Sequence, residues 1–473
     1  MDKFQHECAV FGIYGDPKAS LHASWALHMM QHRGQEAAGI ATWNGGNGFH
    51  LHKETGRVRT IFTGSVLGNL PGQIAIGHNR YSTCGPNTPQ DTQPHLYTSK
   101  QGVEIVGASN GDLPGYAKIR SRLEAQGYEL KSNNDAELIV ALIAFYLDQN
   151  LDEVEAIKCT MQELRGGAYS CVFIINGKLF AFRDPRGFRP LVLGRHYEAY
   201  VVASETVAFD ILGADYIREI EPGQIVRIDG DRERSFEGVR SDEKSFCIFE
   251  LIYFSRPDSW IFGHSVSRFR KREGDMLWRL HKHVIRMPPE EYVVISVPDS
   301  SNHIALGFSQ SSGLAFDFGL VRHHYAVREF IEAGQAGRDE VVKFKNNPDK
   351  AVVKGKRVIV IDDSIVRSTT IRKLVRMLRL AGAIEVIVLI GSPPITHSCF
   401  YGIDTPTQAE LVASQMEVEG IRNLIEADYL GYLTIEGLLE CTMEPSGTFC
   451  LACFNGEYPE ADTIPEEKLK VLE

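Results

Sequence analysis

The chain has 473 residues, of which 43% are hydrophobic and 23% are charged, so it is long enough for about two to four domains with sizeable cores. Its formal net charge of −11 argues against a nucleic-acid-binding surface as the main function, although a local basic site for phosphates remains compatible with it. No apolar run approaches the ~20 residues that span a bilayer. With no apolar signal in the leader, the nine cysteines are expected to work in a reducing cytoplasm, in chemistry or metal binding.

The chain begins with a short polar leader, Met1–Glu7, which ends directly before Cys8. If the chain is cut after Glu7, Cys8 carries both a thiol and a free α-amino group, whose ordinary pKa of ~7.7–8.0 lets it act as a base near neutral pH. A thiol must lose its proton to attack. Nucleophile and base would then belong to one residue, as in N-terminal nucleophile enzymes. The alternative is a buried core cysteine, because the apolar run Ala9–Ile13 follows.

Four polar motifs follow Cys8 along the chain. They are Gln31–Ile40, Gly77–Thr83, Ser109–Leu113 and Asn134–Leu138. In this order and spacing they resemble the glutaminase domain of the class II glutamine amidotransferases. The resemblance implies an α+β sandwich of the N-terminal nucleophile hydrolase type, with glutamine as its substrate.

The same resemblance implies a role for each polar residue of the site. Cys8 attacks the side-chain amide of glutamine, while Asn110 and the Gly111 amide form the oxyanion hole. Arg80 and Asp135 hold the α-carboxylate and the α-ammonium of the substrate. These roles agree with the chemistry, because a tetrahedral intermediate needs donors aimed at its oxyanion and a carboxylate suits the two-pronged arginine.

Arg33 is implied to support the region around Cys8. Taken singly, the other residues have simpler interpretations. Asn110-Gly111 is a turn, Arg80 is a surface charge, and Asp135 is a helix N-cap. Together, in the right order behind a leader and a cysteine, they favour the glutaminase.

The organisation of the chain changes near its middle. As far as about Ile228 it has short apolar strands with a few helices, including a hairpin turned by Asn176-Gly177. The polar stretch Gly230–Lys244 is a candidate boundary. Beyond it, strands alternate with helices, which predicts a doubly wound α/β domain. We therefore expect a leader at 1–7, a glutaminase domain at 8–240 and an α/β domain at 241–473.

A candidate phosphate loop lies in the second half. The buried strand Val358–Ile361 ends in Asp362-Asp363 and runs through Ser364–Thr370 into a helix with an apolar face. Free amides and the dipole at a helix N-terminus favour an anion. Two adjacent acids predict a bound Mg²⁺ or ribose hydroxyls, whereas the simpler interpretation is a capped helix with acids in its first turn.

This run resembles the phosphoribosylpyrophosphate signature of the type I phosphoribosyltransferases, and the chain from Glu7 to about Pro459 resembles the glutamine phosphoribosylpyrophosphate amidotransferase family. The resemblance implies Mg²⁺ contacts from Asp362, Asp363 and a third ligand, Ser300. It implies a phosphoribosylpyrophosphate site made of Asp362, Asp363, Ser364, Arg367, Ser368, Thr369 and Thr370.

In this half the chain departs from the family pattern at Ser301-Asn302-His303, directly after Asp299-Ser300, and at two further places. The family has glycine where this chain has Ser368, and serine is expected to be tolerated there if its φ is negative. The closing segment His323–Ile331 also differs, although it keeps Arg328. These departures concern the handling of the phosphosugar.

Four cysteines form a candidate metal site. Cys450 and Cys453 form a Cys-x-x-Cys pair, and Cys247 and Cys399 come from distant segments. The spacing suits either a zinc bound by four cysteines or a [4Fe–4S] cluster. The resemblance favours the cluster, which one branch of the family carries at these places. The remaining cysteines are expected to be packing residues: Cys84, Cys159, Cys171 and Cys441.

The resemblance implies an enzyme with two sites, in which ammonia from glutamine attacks C1 of phosphoribosylpyrophosphate and gives 5-phosphoribosylamine. It also implies purine nucleotides as candidate inhibitors and an oligomer of identical chains, with no nucleic-acid or membrane partner. Two alternatives remain open. One is a paralogue with an active glutaminase and another phosphosugar acceptor, and the other is a non-enzymatic nucleotide sensor.

Overall fold

The computed structural model describes residues 8–81, 88–286, 288–322 and 346–464. The leader Met1–Glu7, Cys84 and the closing segment His323–Ile331 with Arg328 lie outside the described residues. Every other residue that the sequence assigned to a site lies within them.

The first half contains two antiparallel sheets. Its strands are β1 (Ala9–Tyr14), β2 (Ala37–Trp43), β3 (Phe49–Thr55), β4 (Ile74–Arg80), β5 (His95–Thr98), β6 (Glu104–Asp112), β7 (Ala168–Ile175), β8 (Lys178–Arg183), β9 (Val192–His196), β10 (Ala199–Ala203), β11 (Asp215–Glu219), β12 (Gln224–Asp229) and β13 (Arg232–Glu237). One sheet has seven strands in the order β11-β9-β10-β1-β4-β2-β3, and the other has six in the order β13-β12-β8-β7-β6-β5. Hydrophobic side chains of both sheets, such as Val10 and Val172, share one core. The two sheets therefore pack face to face.

The predicted hairpin is present in the second of these sheets. β7 and β8 pair antiparallel, with Ile175 opposite Lys178. Asn176 and Gly177 have φ values of 50° and 72°, the left-handed conformation that a two-residue hairpin turn needs.

Helices cover the outer faces of both sheets. They are α1 (Ala19–Met29), α2 (Val58–Ile61), α3 (Gly64–Gly68), α4 (Tyr116–Ala125), α5 (Asp135–Leu147), α6 (Glu153–Glu163) and α7 (Val207–Asp210). α1 shares a core with the seven-stranded sheet, and α4 to α6 share one with the six-stranded sheet. The result is a four-layered α-β-β-α sandwich, as the first-half motifs predict.

The second half is built around a parallel sheet. The strands of this half are β14 (Phe246–Cys247), β15 (Trp260–Ile261), β16 (His264–Ser265), β17 (Tyr292–Ser296), β18 (Leu320–Arg322), β19 (Asn346–Pro348), β20 (Arg357–Asp362), β21 (Glu385–Ile390), β22 (Tyr429–Tyr432) and β23 (Phe449–Cys450). Its helices are α8 (Val266–His281), α9 (Asn302–Ser312), α10 (Lys350–Val353), α11 (Thr369–Leu380), α12 (Val412–Gln415), α13 (Val418–Ile425), α14 (Ile435–Thr442) and α15 (Ala452–Asn455). Four parallel strands form its centre, in the order β17-β20-β21-β22.

Helices pack on both faces of this parallel sheet. α8 and α9 contribute to the core on one face. α11 and α13 contribute to the core on the other, and α11 buries Ile371, Leu374, Val375 and Leu378, the apolar face that the sequence predicts. The α/β arrangement brings the ends of β17 and β20 together at one edge, where the acidic residues lie. No helix in the described part of the chain is both long and apolar enough to cross a membrane.

Candidate active sites

Cys8 lies at the start of β1 and is half-buried. Its thiol donates a long hydrogen bond of 3.8 Å to the carbonyl oxygen of Tyr81. β1 pairs with β4, which ends at Arg80, directly before Tyr81. The predicted nucleophile and the predicted carboxylate-binding arginine therefore lie at the same edge of the seven-stranded sheet.

Arg33 fixes the backbone of Cys8 from inside the protein. Its Nε donates to the Cys8 carbonyl oxygen at 3.1 Å. Its Nη1 donates to Glu205 at 2.5 Å, and its Nη2 donates to Glu250 at 2.6 Å. All three side chains are fully buried. Arg33 therefore contacts the Cys8 backbone and two acidic partners, and its supporting role stays a prediction.

The charges of this cluster stabilise one another. Burial by itself would raise the pKa of Glu205, but His32 and Arg33 outweigh burial and hold that pKa far below its usual range. Glu205 therefore stays ionised, and it also accepts hydrogen bonds from the Ser259 hydroxyl at 2.6 Å and from the Arg256 amide at 3.0 Å.

Arg80 and the N-terminus of α5 meet at Asp91. An Nη1 hydrogen bond from Arg80 reaches the Asp91 carbonyl oxygen, to which the Asn134 side chain also donates, at 3.1 Å. Asn134, and not Asp135, is the N-cap of α5, since its side chain accepts from the Ala136 amide at 2.9 Å. The simpler interpretation of Asp135 as an N-cap is therefore wrong. Its carboxylate accepts from the Leu113 amide at 2.8 Å, just beyond the predicted oxyanion residues.

Asn110 and Gly111 lie near the end of β6. Asn110 is 1% exposed, and its side-chain nitrogen has no hydrogen-bond partner among the residues that the structure describes. Gly111 has a φ of 153°, and an added Cβ would lie 1.7 Å from the Ala168 carbonyl oxygen. Only glycine fits at this position. A buried donor without an acceptor calls for a ligand.

A loop of the second half packs against this region. Arg189 Nη2 donates to the Tyr401 carbonyl oxygen. A Cβ on Gly402 would lie 3.1 Å from the Gly111 carbonyl carbon. The loop that follows Cys399 therefore lies directly against the backbone of the candidate oxyanion hole.

The candidate phosphate site is a small hollow at the N-terminus of α11, with an empty volume of about 200 Å³. Its lining is Asp362, Ser364, Ile365, Val366, Ser368, Thr370 and Ile371. Both predicted acids are buried, Asp362 at 2% and Asp363 at 0% exposure. Hydroxyls hold both of them, because Ser301 donates to Asp362 at 3.1 Å, whereas Ser300 and Ser364 donate to Asp363.

Ser368 has a φ of 61°, in the left-handed region. The condition under which serine was expected to be tolerated, a negative φ, is therefore not met. A side chain at this φ costs roughly 1–2 kcal/mol, which explains physically why glycine suits the position. Ser368 precedes α11 but makes no side-chain capping hydrogen bond.

Arg367 and the two threonines that follow Ser368 occupy different surroundings. Thr369 and Thr370 begin α11, and Thr370 lines the hollow. Arg367 is half-buried and donates to Glu410 at 2.8 Å. This ion pair links the loop before α11 to the segment that leads into α12.

A buried acid lies behind Asp363. Burial raises the pKa of Glu273 well above its ordinary value, Asp363 raises it further, and the neighbouring Arg270 offsets only part of this. Neither carboxyl oxygen of Glu273 has a hydrogen-bond partner among the described residues. Burial therefore disfavours the charged form of Glu273 beside the acidic pair.

The four predicted ligand cysteines line one pocket with an empty volume of about 320 Å³. Cys247 and Cys450 lie opposite each other where β14 and β23 pair in parallel. The segments that carry Cys399 and Cys453 close the pocket, together with Phe188, Ile248, Phe249, Tyr401, Ile403 and Ala452. The fold therefore brings together thiols that lie far apart in sequence.

Two of these thiols lie where burial disfavours their charged form. Burial raises the pKa of Cys450 to about 12 and the pKa of Cys453 well above its usual value, and the neighbouring cysteines raise the latter further. Bare thiolates are unfavourable there unless a metal compensates their charge. Cys171 and Cys441 are buried and Cys159 is half-buried, in keeping with packing roles.

Comparisons with known proteins agree with this geometry. A family model described as a glutamine amidotransferase domain matches residues 78–210. Amidophosphoribosyltransferase 3, chloroplastic, from Arabidopsis thaliana is 45% identical over 475 residues, covering 98% of this chain and 86% of the relative. The amidophosphoribosyltransferase of Methanothermobacter thermautotrophicus is 41% identical over 96% of this chain and 94% of its own. The chain belongs to the amidophosphoribosyltransferase family.

Solved structures support the same conclusion. The glutamine phosphoribosylpyrophosphate amidotransferase from B. subtilis, complexed with ADP and GMP, superposes with a TM-score of 0.88 and 41% identity, over 96% of this chain and 97% of that one. A structure described as the allosteric regulatory enzyme of purine biosynthesis gives 0.90 and 40%, over 98% and 99%. These likenesses confirm the predicted fold, an N-terminal nucleophile glutaminase followed by a type I phosphoribosyltransferase domain.

The amidophosphoribosyltransferase family also fixes the reaction. The chain is an enzyme that transfers glutamine-derived ammonia to C1 of phosphoribosylpyrophosphate, giving 5-phosphoribosylamine, glutamate and pyrophosphate, the first step of purine synthesis. The alternatives of another acceptor and of a non-enzymatic sensor receive no support from these relatives.

Sequence reasoning missed two residues that the site depends on. Glu205 lies within residues 78–210, which the family model matches, but no local pattern pairs it with Arg33. Glu250 lies in a short π-helical turn, Glu250–Phe254, of the second half. An acidic residue in the apolar stretch after Cys247 was the one available signal, since a buried charge needs a partner.

We predict that Glu250→Gln destabilises the protein by about 3 kcal/mol, because it leaves Arg33 and Arg189 short of one buried negative charge. The glutaminase rate should fall as well, since Arg33 holds the Cys8 carbonyl. Thermal unfolding and glutamate release measure the two effects. The matched control is Glu419→Gln in the exposed Arg422–Glu419 pair, where little change is expected. Equal stability of the two variants would contradict this prediction.

We predict that Ser368→Gly stabilises the protein by about 1 kcal/mol, because it removes a left-handed side chain. The apparent affinity for phosphoribosylpyrophosphate should change less than about tenfold, whereas Asp362→Asn should abolish most activity. Met443→Gly is the control, because Met443 also has a positive φ of 62° but caps α14. A tenfold loss of affinity in Ser368→Gly alone would show instead that the hydroxyl binds the phosphate.

Proposed function

We propose that Cys8 becomes the N-terminal residue after removal of Met1–Glu7 and carries out the glutaminase reaction. Its thiol adds to the side-chain amide carbon of glutamine while its α-amino group takes the thiol proton. The same proton leaves with ammonia, and a γ-glutamyl thioester remains on Cys8. Water then hydrolyses the thioester to glutamate. In support, the hydrogen bond from Arg33 to the Cys8 carbonyl fixes the nucleophile at the sheet edge.

The oxyanion hole is proposed to consist of the Asn110 side-chain amide and the Gly111 backbone amide. The observation that carries the glutaminase proposal is the buried Asn110 nitrogen, which lacks a partner among the described residues. A donor held in place without an acceptor stabilises charge that develops only in the transition state. A Cβ at Gly111 would overlap the Ala168 carbonyl oxygen, so the close approach of β6 and β7 at this strand end requires glycine.

Arg80 and Asp135 are proposed to bind the α-carboxylate and α-ammonium of glutamine. Both approach the same place, since Asp91 connects Arg80 to Asn134 and Asp135 contacts the amide of Leu113. One cation and one anion, both near the N-terminus of α5, suit a zwitterionic amino acid. Arg33 is assigned to positioning Cys8, because its three donors are directed to protein groups.

The hollow before α11 is proposed to bind phosphoribosylpyrophosphate. Ser364, Arg367, Ser368, Thr369 and Thr370 surround the 5′-phosphate, where the helix N-terminus favours an anion. Asp362 lines the hollow, and its carboxylate accepts hydrogen bonds from the ribose hydroxyls. The nitrogen of ammonia forms a bond to C1 while the bond between C1 and the pyrophosphate oxygen breaks.

Mg²⁺ is proposed to bind beside Asp362, Asp363 and Ser300. Carboxylate and hydroxyl oxygens are the hard ligands that Mg²⁺ prefers, and Ser300 and Asp363 lie in direct contact. The ion supplies charge neutralisation for the departing pyrophosphate. Serine hydroxyls hold both carboxylates, since Ser301 donates to Asp362 and both Ser300 and Ser364 donate to Asp363.

A [4Fe–4S] cluster is proposed for Cys247, Cys399, Cys450 and Cys453. No three thiols of the described cysteines lie within 4.8 Å of one another, whereas a single tetrahedral zinc would bring its sulfurs to about 3.8 Å. The wider pocket suits a cluster that places its own iron and sulfide between the thiolates. Its role is structural, because it joins distant segments and ammonia transfer needs no electrons.

Further parts of the proposal concern domains, partners and location. We assign residues 8–240 to the glutaminase domain and 241–473 to the phosphoribosyltransferase domain. Purine nucleotides are proposed as inhibitors, because one solved relative was described with ADP and GMP. We propose a homo-oligomer that acts in the cytoplasm and has no nucleic-acid partner.

Cys8→Ala should abolish synthesis of 5-phosphoribosylamine from glutamine but keep synthesis from added ammonia at high pH. The reason is that ammonia bypasses the first site and enters at the second. Pyrophosphate release measures both reactions. Cys159→Ala, on the half-exposed α6, is the control and should retain both. If Cys8→Ala loses the two activities together while still folded, the assignment of two separate sites fails.

Protein purified without oxygen should contain about four irons and four acid-labile sulfides per chain. Cys450→Ser should lower both contents and the thermal midpoint of unfolding, because the cluster ties β14, β23 and the Cys399 loop together. Cys159→Ser is expected to match the unmodified chain. One zinc per chain without sulfide would reject the cluster in favour of a zinc site.

A further inference from the structure

Three metal-ligating side chains converge at the end of β1 that lies away from Cys8. Asp16 follows β1, His22 lies on α1, and His196 is the last residue of β9. One ligand atom from each residue lies within 4.8 Å of those of the other two. The six-residue β1 separates this cluster from Cys8 by roughly 20 Å, so it is not part of the glutaminase site.

The carboxylate of this cluster is held in a fixed position. Asp16 is buried at 6% exposure. Its Oδ1 accepts a hydrogen bond from the Lys18 amide at 2.8 Å, and its backbone amide donates to the Gln73 carbonyl oxygen at 3.0 Å. Its Oδ2 contacts Nδ1 of His22. One oxygen thus orients the side chain, and the other is directed towards the histidines.

The second histidine has an unsatisfied nitrogen. Nδ1 of His196 is buried and has no hydrogen-bond partner among the residues that the structure describes. Its ring meets that of His22 edge to face, with centroids 5.1 Å apart. An imidazole nitrogen that has no protein partner is available to bind a metal ion.

We propose that Asp16, His22 and His196 bind a divalent transition-metal ion of the zinc type. Two imidazoles and one carboxylate favour zinc, cobalt, nickel or copper over magnesium or calcium, which prefer oxygen ligands. The three ligand atoms already lie close enough together for one ion, and Nδ1 of His196 has no partner among the described residues. Three protein ligands leave a fourth tetrahedral position for water.

The position of the site defines its role. The ion joins the loop after β1, the first half of α1 and the turn between β9 and β10. α1 leads into the segment that carries His32 and Arg33, and it shares a core with β1 and β10. The ion therefore links these three segments at one end of the seven-stranded sheet, and water completes its coordination. The site is separate from the four cysteines, which lie in the second half.

The experiment uses the intact holoenzyme and Co²⁺ as the probe. Trp25 lies beside His22, with ring centroids 5.2 Å apart, so a paramagnetic ion at the site should quench its fluorescence. We expect one equivalent of Co²⁺ to bind with visible bands of nitrogen and oxygen ligands and without a thiolate-to-cobalt charge-transfer band. Trp25→Phe should bind equally but lose the quenching.

Variants separate this site from other histidines. His22→Gln, His196→Gln and Asp16→Asn should each weaken Co²⁺ binding at least tenfold, whereas His28→Gln, an exposed histidine on the same helix, should not. Glutamine hydrolysis by each variant verifies that it is folded. The proposal is overturned if the bound Co²⁺ shows thiolate bands only, or if folded His22→Gln and His196→Gln variants bind as the unmodified chain does. The spectrum of the unmodified chain decides the matter even if a variant does not fold.

Discussion

The structure depends on one buried ion cluster, in which Arg33 joins Glu205 of the first half to Glu250 of the second. The three side chains are fully buried, and Arg189 lies 3.6 Å from Glu250, so two positive charges face two negative ones. Such a cluster brings little net stability over apolar packing, but the loss of one member leaves an uncompensated charge. Its geometry is therefore tightly constrained. Because Arg33 also holds the Cys8 carbonyl, the constraint extends to Cys8, the proposed nucleophile.

The same cluster explains how two dissimilar folds form one enzyme. Glu250 lies three residues after Cys247, and Arg189 donates to the Tyr401 carbonyl oxygen, two residues after Cys399. The neighbouring Gly402 packs against Gly111. The segments proposed to bind the [4Fe–4S] cluster thus contact Arg33, which holds Cys8, and β6, which carries the proposed oxyanion residues. A change in the shape of the cysteine pocket can therefore shift the proposed glutaminase site through these backbone contacts, without electron transfer.

Individual residues show where local reasoning succeeds and where it fails. The hairpin at Asn176-Gly177 follows from backbone preferences that act within two residues, and the structure confirms it. The apolar face of α11 follows from helical periodicity in the same way. By contrast, Asp135 has the residue type of an N-cap, yet Asn134 occupies that position. Ser368 was expected to need a negative φ, but the loop before α11 imposes 61°. Loop geometry decides such cases, because it is set by what the loop connects.

The sequence by itself determined the two-part fold, the order of the glutaminase motifs, the acidic pair after a buried strand and the four cysteines, because these depend on periodicity and on residue types in order. Only the tertiary structure decided the partners of Arg33, the meeting of Arg80 with the start of α5, and the pocket that Cys247 shares with Cys450. It also brought together Asp16, His22 and His196, of which His196 is far away in the chain. Contacts between distant segments are set by how layers pack, and one sequence carries no local record of that packing.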